Sequence, residues 1–297
     1  MSSAAGTDHG VIAPGTTVGA VHLTVADLTR SLSYYRDGIG LQVLAEGDGR
    51  TSLGVGDTEL LVLVEVPGAR PAQGRTGLFH FALRVPQRAD LARWLAHAAQ
   101  VRVSLTGASD HLVSEALYLH DPDLHGIEIY RDRPRETWEN QVEKIMTTLP
   151  LDLNDLLGEL DDPATGDFEG LPAATDMGHV HLQVADVPAA VAFYRDRLGF
   201  GLMATLGDQA AFLSAGGYHH HVGVNTWNSR GAPPPDPNMA ALRLATVVLP
   251  DDAELDRVAQ RVVESGQDPE VSDDGLLVRD PSGNTLLLTT ASDRPSA

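Results

Sequence analysis

Twelve histidines and no cysteine define the chemistry open to this 297-residue chain. Without thiolates, a transition-metal site must be built from imidazole and carboxylate. Disulfides and cysteine nucleophiles are excluded in the same step. Two residues have the right surroundings for such a site. His80 stands between Phe79 and Phe81, and Glu128 between Ile127 and Ile129, each in an apolar stretch that reads as a strand. A lone histidine in such a place is commonly a hydrogen-bonded core residue. A carboxylate there is costly unless it is paired or bound to a cation. Together the two read as metal ligands. Two histidines and one carboxylate on one face of an ion leave positions open for substrate and dioxygen, the non-haem Fe(II) arrangement. The third ligand is open between His22 and His181, which begin two matching segments.

Those segments show how the chain positions its chemistry. Residues 21–40 (VHLTVADLTRSLSYYRDGIG) and 180–199 (VHLQVADVPAAVAFYRDRLG) match at both ends, 159 residues apart. Each opens with a strand of one buried face, has Asp27 or Asp186 as a helix N-cap, and ends its helix at Gly40 or Gly199. Short strands follow, which makes each unit β-α-β-β-β. Two further units fill the gaps, with strands at 78–85 and 242–249 and helices at 88–99 and 252–264. The fold class is α+β, with four such units in two halves, 18–133 (units one and two) and 177–292 (units three and four). An acidic bridge, 134–176, joins them and holds one short helix near 154–160. Asp121-Pro122-Asp123 reads as turn chemistry.

Composition narrows the partners. Asp and Glu number 41 against 21 Lys and Arg, a formal net charge of −20. Such a surface repels phosphate backbones and anionic lipid, so nucleic acid and membrane are not expected partners. No apolar run approaches the roughly 20 residues that span a bilayer. The first ten residues lack the pattern of a secretory leader. A cytoplasmic protein is the expectation.

The paired units opening with V-H-L-x-V, and the DPDLHGIEIY ending at 121–130, resemble the vicinal oxygen chelate superfamily. Four units in one chain are similar to its extradiol ring-cleaving dioxygenases. The segments SEALYLHDPDLHGIEIY (114–130) and GGYHHHVGVN (216–225) look like the catechol 2,3-dioxygenase branch. The resemblance implies that pairs of units close into eight-stranded cups, one of them around Fe(II), or alternatively Mn(II). It makes His80 and Glu128 the second histidine and the glutamate of the triad. It also implies an acid–base histidine on the unit that supplies the first metal histidine. Only a pairing of units two and three provides both, so His80, His181 and Glu128 are the expected ligands, with His22 in place of His181 as the alternative. Leu244 and Leu287 occupy the corresponding positions of unit four, which argues against a site there.

The resemblance further implies that His220, or else His221, moves protons. It implies that Tyr118 hydrogen-bonds a substrate oxygen and that His111 lies near dioxygen. The implied substrates are a small aromatic diol and dioxygen, and relatives commonly form homo-oligomers. Two rival classes are a glyoxalase-like isomerase or lyase, which often uses more carboxylate ligands, and a non-catalytic resistance protein, which commonly lacks the triad.

Overall fold

In the computed structural model, residues 10–47, 49–161 and 168–290 are described. The leader reading at residues 1–9, positions 162–167 of the bridge and the last two residues of the second half lie outside them. Two curved sheets dominate the fold. One runs, in spatial order, Leu149–Pro150, Leu105–Asp110, Ser114–His120, Gly126–Asp132, Gly77–Arg84, Asp176–Gln183, Val222–Asn225, Ala210–Ser214 and Gly201–Leu206. The other runs Glu270–Ser272, Gly275–Arg279, Thr285–Thr290, Leu242–Leu249, Thr17–Val25, Thr58–Glu65, Arg50–Val55 and Gln42–Gly47. Units two and three therefore share one cup, and units one and four share the other. Each cup crosses the boundary between the two halves of the sequence. The first sheet has nine strands rather than eight, because Leu149–Pro150 of the bridge pairs antiparallel with Leu105–Asp110.

Alternation along the strands separates chemistry from core. In Gly77–Arg84, Phe81 and Leu83 face outward into the main apolar core with Leu91 and Trp94 of the helix Arg88–Val101. His80 and Ala82 face the cup, where Ala82 packs with Ala116 and Tyr130. The caps form as the sequence predicts. The Asp27 carboxylate accepts from the Arg30 amide at 2.9 Å, and Asp186 accepts from the Ala189 amide at 2.8 Å. Both helices widen into a π-turn and end at Gly40 and Gly199, with φ of 92° and 91°.

The repeated tyrosine of each helix ties together the two units of its own half. The Tyr35 hydroxyl donates to Asp121 at 2.9 Å, and the Tyr194 hydroxyl to Asp280 at 3.2 Å. Asp121 is thus more than a turn former: it also accepts the Asp123 and His125 amides, each at 2.8 Å. Among its described residues the bridge carries two short α-helices, Val142–Ile145 and Leu153–Leu157, and a 3-10 turn at Arg135–Thr137, where the sequence predicts one helix. Among the described residues no helix is long and apolar enough to cross a membrane.

Close approach of two strands fixes the cup's geometry. A Cβ at Gly126 would fall 2.0 Å from the Phe79 carbonyl oxygen. Gly126→Ala is expected to destabilise the fold by about 1–3 kcal/mol or more, since overpacking forces backbone shifts. The urea midpoint measures this, and an unchanged midpoint would show that the strands have room to spare.

Candidate metal centre

Three buried side chains converge at the floor of the first cup. The Glu128 Oε2 lies 3.0 Å from His80 Nε2 and 3.1 Å from His179 Nε2, and the two nitrogens are 3.3 Å apart. The backbone explains the convergence. Strand pairing sets Glu128 opposite Ala82, and Ala82 opposite His179. All three lie in one row across the sheet, and His80 stands two residues from Ala82 on the same face. The small Ala82 side chain leaves room for Glu128 and His179 to meet above it. Ala82→Leu is expected to part them and to weaken metal binding by about 10–100-fold, as displacing supporting groups does. Chelator competition would read the change, and an unaltered affinity would contradict this account of the row.

The donor set fits a divalent ion. Ligands about 2.1 Å from an ion and at right angles to each other stand about 3.0 Å apart, close to the three separations here. Imidazole and carboxylate suit iron and manganese alike. The protonation states also fit. Burial pushes Glu128 up, but His179 and His80 beside it outweigh that and hold it well below the usual carboxylate range. Burial brings His179 down to about 4, opposed in part by Glu128. Near neutral pH the site therefore offers a carboxylate and a neutral imidazole.

This group differs from the expected one: His179 stands where His181 was expected. His181 faces the same cavity two residues later, directly opposite His80 in the strand register. Its Nε2 has no partner among the described residues. His179, absent from the sequence expectations, had one signal. Unit one carries Ala20 at the matching position, so the histidine is particular to the cup that has ligands.

Above the floor lies a cavity of about 810 Å³, walled by residues including Phe79, Tyr118, His181, Phe212, His220 and Trp227. Tyr118 sits opposite Glu128 on the neighbouring strand. Its hydroxyl donates to His111 Nε2 at 2.8 Å, because His111 Nδ1 donates to the Thr147 carbonyl at 2.7 Å. Burial, with Glu128 adding to it, raises the Tyr118 pKa well above the ordinary phenol value, so the hydroxyl keeps its proton.

The three consecutive histidines precede the strand Val222–Asn225 in a bend. Their surroundings separate them. His221 Nδ1 accepts from the Ala215 amide at 3.1 Å. His219 Nε2 donates to Asp132 at 2.8 Å, and in the neutral ring Nδ1 is then an acceptor. The 2.9 Å contact between His219 Nδ1 and His220 Nδ1 is then donated by His220. His220 Nε2 is left without a proton, on a ring whose centroid is 4.1 Å from that of His179. Burial drives the His220 pKa well below its ordinary value, and the neighbouring histidines add to the effect.

The second cup lacks this equipment. His22 is opposite Leu244 just as His181 is opposite His80, and Thr246 is opposite Leu287 just as Ala82 is opposite Glu128. The positions matching His179, His80 and Glu128 are therefore Ala20, Leu244 and Leu287. His22 lies in a separate cavity, its pKa brought down to about 4 by burial, with Arg50 and Arg243 adding to the effect.

The two cups, built from repeated β-α-β-β-β units, accompany a match to the Glyoxalase/Bleomycin resistance protein/Dioxygenase superfamily. The model of that family matches residues 17–129 and 176–288, and the chain belongs to it. Within the family, the chain is 44% identical over 278 residues to a protein named Catechol-2,3-dioxygenase from Bacillus subtilis (strain 168), covering 92% of this chain and 96% of that one. Solved structures of the same fold include a Bacillus subtilis candidate dioxygenase, with a TM-score of 0.61 and 15% identity, covering 94% of this chain and 86% of that one. Glyoxalase I from Zea mays aligns with a TM-score of 0.59 and 16% identity, covering 94% of both chains. At such identities the likeness to these structures is one of fold.

Proposed function

We propose that this protein is an extradiol dioxygenase that opens a catechol-type ring beside its two hydroxyls and incorporates both atoms of dioxygen. The reading assigns the metal to His80, Glu128 and His179, with Fe(II) as the ion and Mn(II) as the alternative. The observation that carries it is the convergence of three buried donor atoms beneath an aromatic-walled cavity. The name of the 44% identical relative supports the reaction class. When bound, the metal supplies a Lewis-acid centre that lowers the pKa of a coordinated hydroxyl and offers a place for dioxygen.

The protein's own groups do the rest. His220 Nε2 accepts a proton from the diol, and His219 with Asp132 holds that imidazole in the required tautomer. On substrate binding the Tyr118 hydroxyl, kept protonated by burial, turns its single proton from His111 Nε2 to a substrate oxygen. Phe79, Phe212 and Trp227 pack on the ring and exclude water. His22 takes no part, and His181 is not a ligand.

Anaerobic loading with Fe(II), followed by catechol and air, tests the reaction. The expected result is a yellow ring-opened product with one dioxygen consumed per ring. Iron-loaded protein that binds catechol but consumes no oxygen would overturn the assignment. Tyr118→Phe is expected to lower kcat/KM by about tenfold to a hundredfold, the effect of one lost charge-assisted hydrogen bond. Steady-state kinetics at unchanged iron content checks it.

A further inference from the structure

His181 is an unusual resident of the cavity. It is 3% exposed, and its Nε2 has no hydrogen-bond partner among the described residues. The other ring nitrogen serves the Val224 backbone. A ring that donates through Nδ1 presents a bare acceptor at Nε2. Gly223 lets the imidazole lie flat against the neighbouring strand, since a Cβ there would meet the ring at 2.9 Å. The imidazole is therefore fixed, and aromatic groups enclose it. Ring centroids lie 5.2 Å away for Phe79, 5.4 Å for Trp227 and 5.7 Å for Phe212. Buried acceptors are almost always satisfied, and an unpaired one that faces a cavity points to a ligand donor.

The charge of the cavity narrows that ligand. No lysine or arginine lines it among the described residues, whereas Glu128 and Glu143 do. With the metal engaged by Glu128 and the diol, a carboxylate on the substrate ring would be buried without a cationic side chain to pair with, which is costly.

From these two observations we infer that the substrate is an uncharged catechol carrying a further hydrogen-bond donor, and that His181 Nε2 accepts from it. His181 is thus a specificity residue rather than a metal ligand. The inference rests on the dioxygenase reading above and deepens it. A site built to bond a hydroxyl discriminates strongly against the analogue that lacks one, because its own acceptor is then left unpaired.

Anaerobic calorimetry on the Fe(II)-loaded protein tests this with matched pairs in which hydroxyl replaces methyl. The pairs are benzene-1,2,3-triol against 3-methylcatechol, and benzene-1,2,4-triol against 4-methylcatechol, with 3,4-dihydroxybenzoate as the charged probe. At least one triol is expected to bind about tenfold or more tighter than its methyl partner, and the benzoate weakest of all. His181→Phe should erase the preference at unchanged iron content. His181→Gln, which keeps an acceptor oxygen, should retain part of it. Equal binding within both pairs, tight binding of the benzoate, or loss of iron in His181→Phe would each overturn the inference while leaving the dioxygenase reading intact. A loaded protein that binds no diol at all would overturn both.

Discussion

Replacing His179 by alanine is expected to reduce iron affinity more than a hundredfold and to abolish ring cleavage, whereas His181→Ala keeps the iron. Disturbing groups that merely support a ligand costs about 10–100-fold in affinity, so losing a ligand should cost more. His179 Nε2 is 3.1 Å from the Glu128 oxygen and 3.3 Å from His80 Nε2, within the spacing of neighbouring ligands around one ion. It is 1% exposed and is held by strand pairing in the same row as Glu128. His181 lines the cavity instead, and its Nε2 has no partner among the described residues. Elemental analysis of each variant after gel filtration gives the answer. Iron retained by His179→Ala and lost by His181→Ala would reverse the assignment.

The second large effect is expected at His220. His220→Ala should lower kcat by about 10²–10⁴-fold, the range for a positioned general base, with iron content unchanged and KM altered little. The argument is the direction of its hydrogen bonds. Asp132 accepts from His219, and the Tyr218 hydroxyl and Arg84 also donate to Asp132, at 2.9 Å and 2.8 Å. That fixes the His219 tautomer and, through it, the proton on His220 Nδ1. Asp132→Asn should then give an intermediate loss of kcat, because the amide can reverse the direction of the chain. His221→Ala should cost far less, since its Nδ1 is engaged with the Ala215 amide. A large loss in His221→Ala, with His220→Ala near wild type, would show that the other histidine carries the proton.

Much of this was legible in the sequence, because repetition exposes architecture. The match between residues 21–40 and 180–199 predicts the units, and the Asp27 and Asp186 caps and the Gly40 and Gly199 stops form as read. His80 and Glu128 were visible because polar residues among Phe and Ile are physically expensive. The third ligand was harder for an instructive reason. The repeat aligns His22 with His181 and draws attention to what the two cups share. The proposed chemistry rests on what they do not share: His179 against Ala20, His80 against Leu244 and Glu128 against Leu287.

The sequence does not show how the three consecutive histidines are buried. Gly216 and Gly217, both with positive φ, bend the chain and bury all three rings. The bridge resisted reading because Val142–Ile145 is one turn long, too short for a periodic pattern, and Leu149–Pro150 gains its strand character only from its partner. Pairing between units two and three depends on long-range contacts that a single chain's pattern does not encode. It was implied only by the family resemblance, which asks for an acid–base histidine on the unit of the first metal histidine.

The most direct test of the central claim is diffraction from crystals of the Fe(II)-loaded protein at the iron absorption edge. One anomalous peak is predicted, within bonding distance of His80 Nε2, Glu128 Oε2 and His179 Nε2, and none in the cup that contains His22. A peak bound through His181 in place of His179, or seated beside His22, would contradict the account.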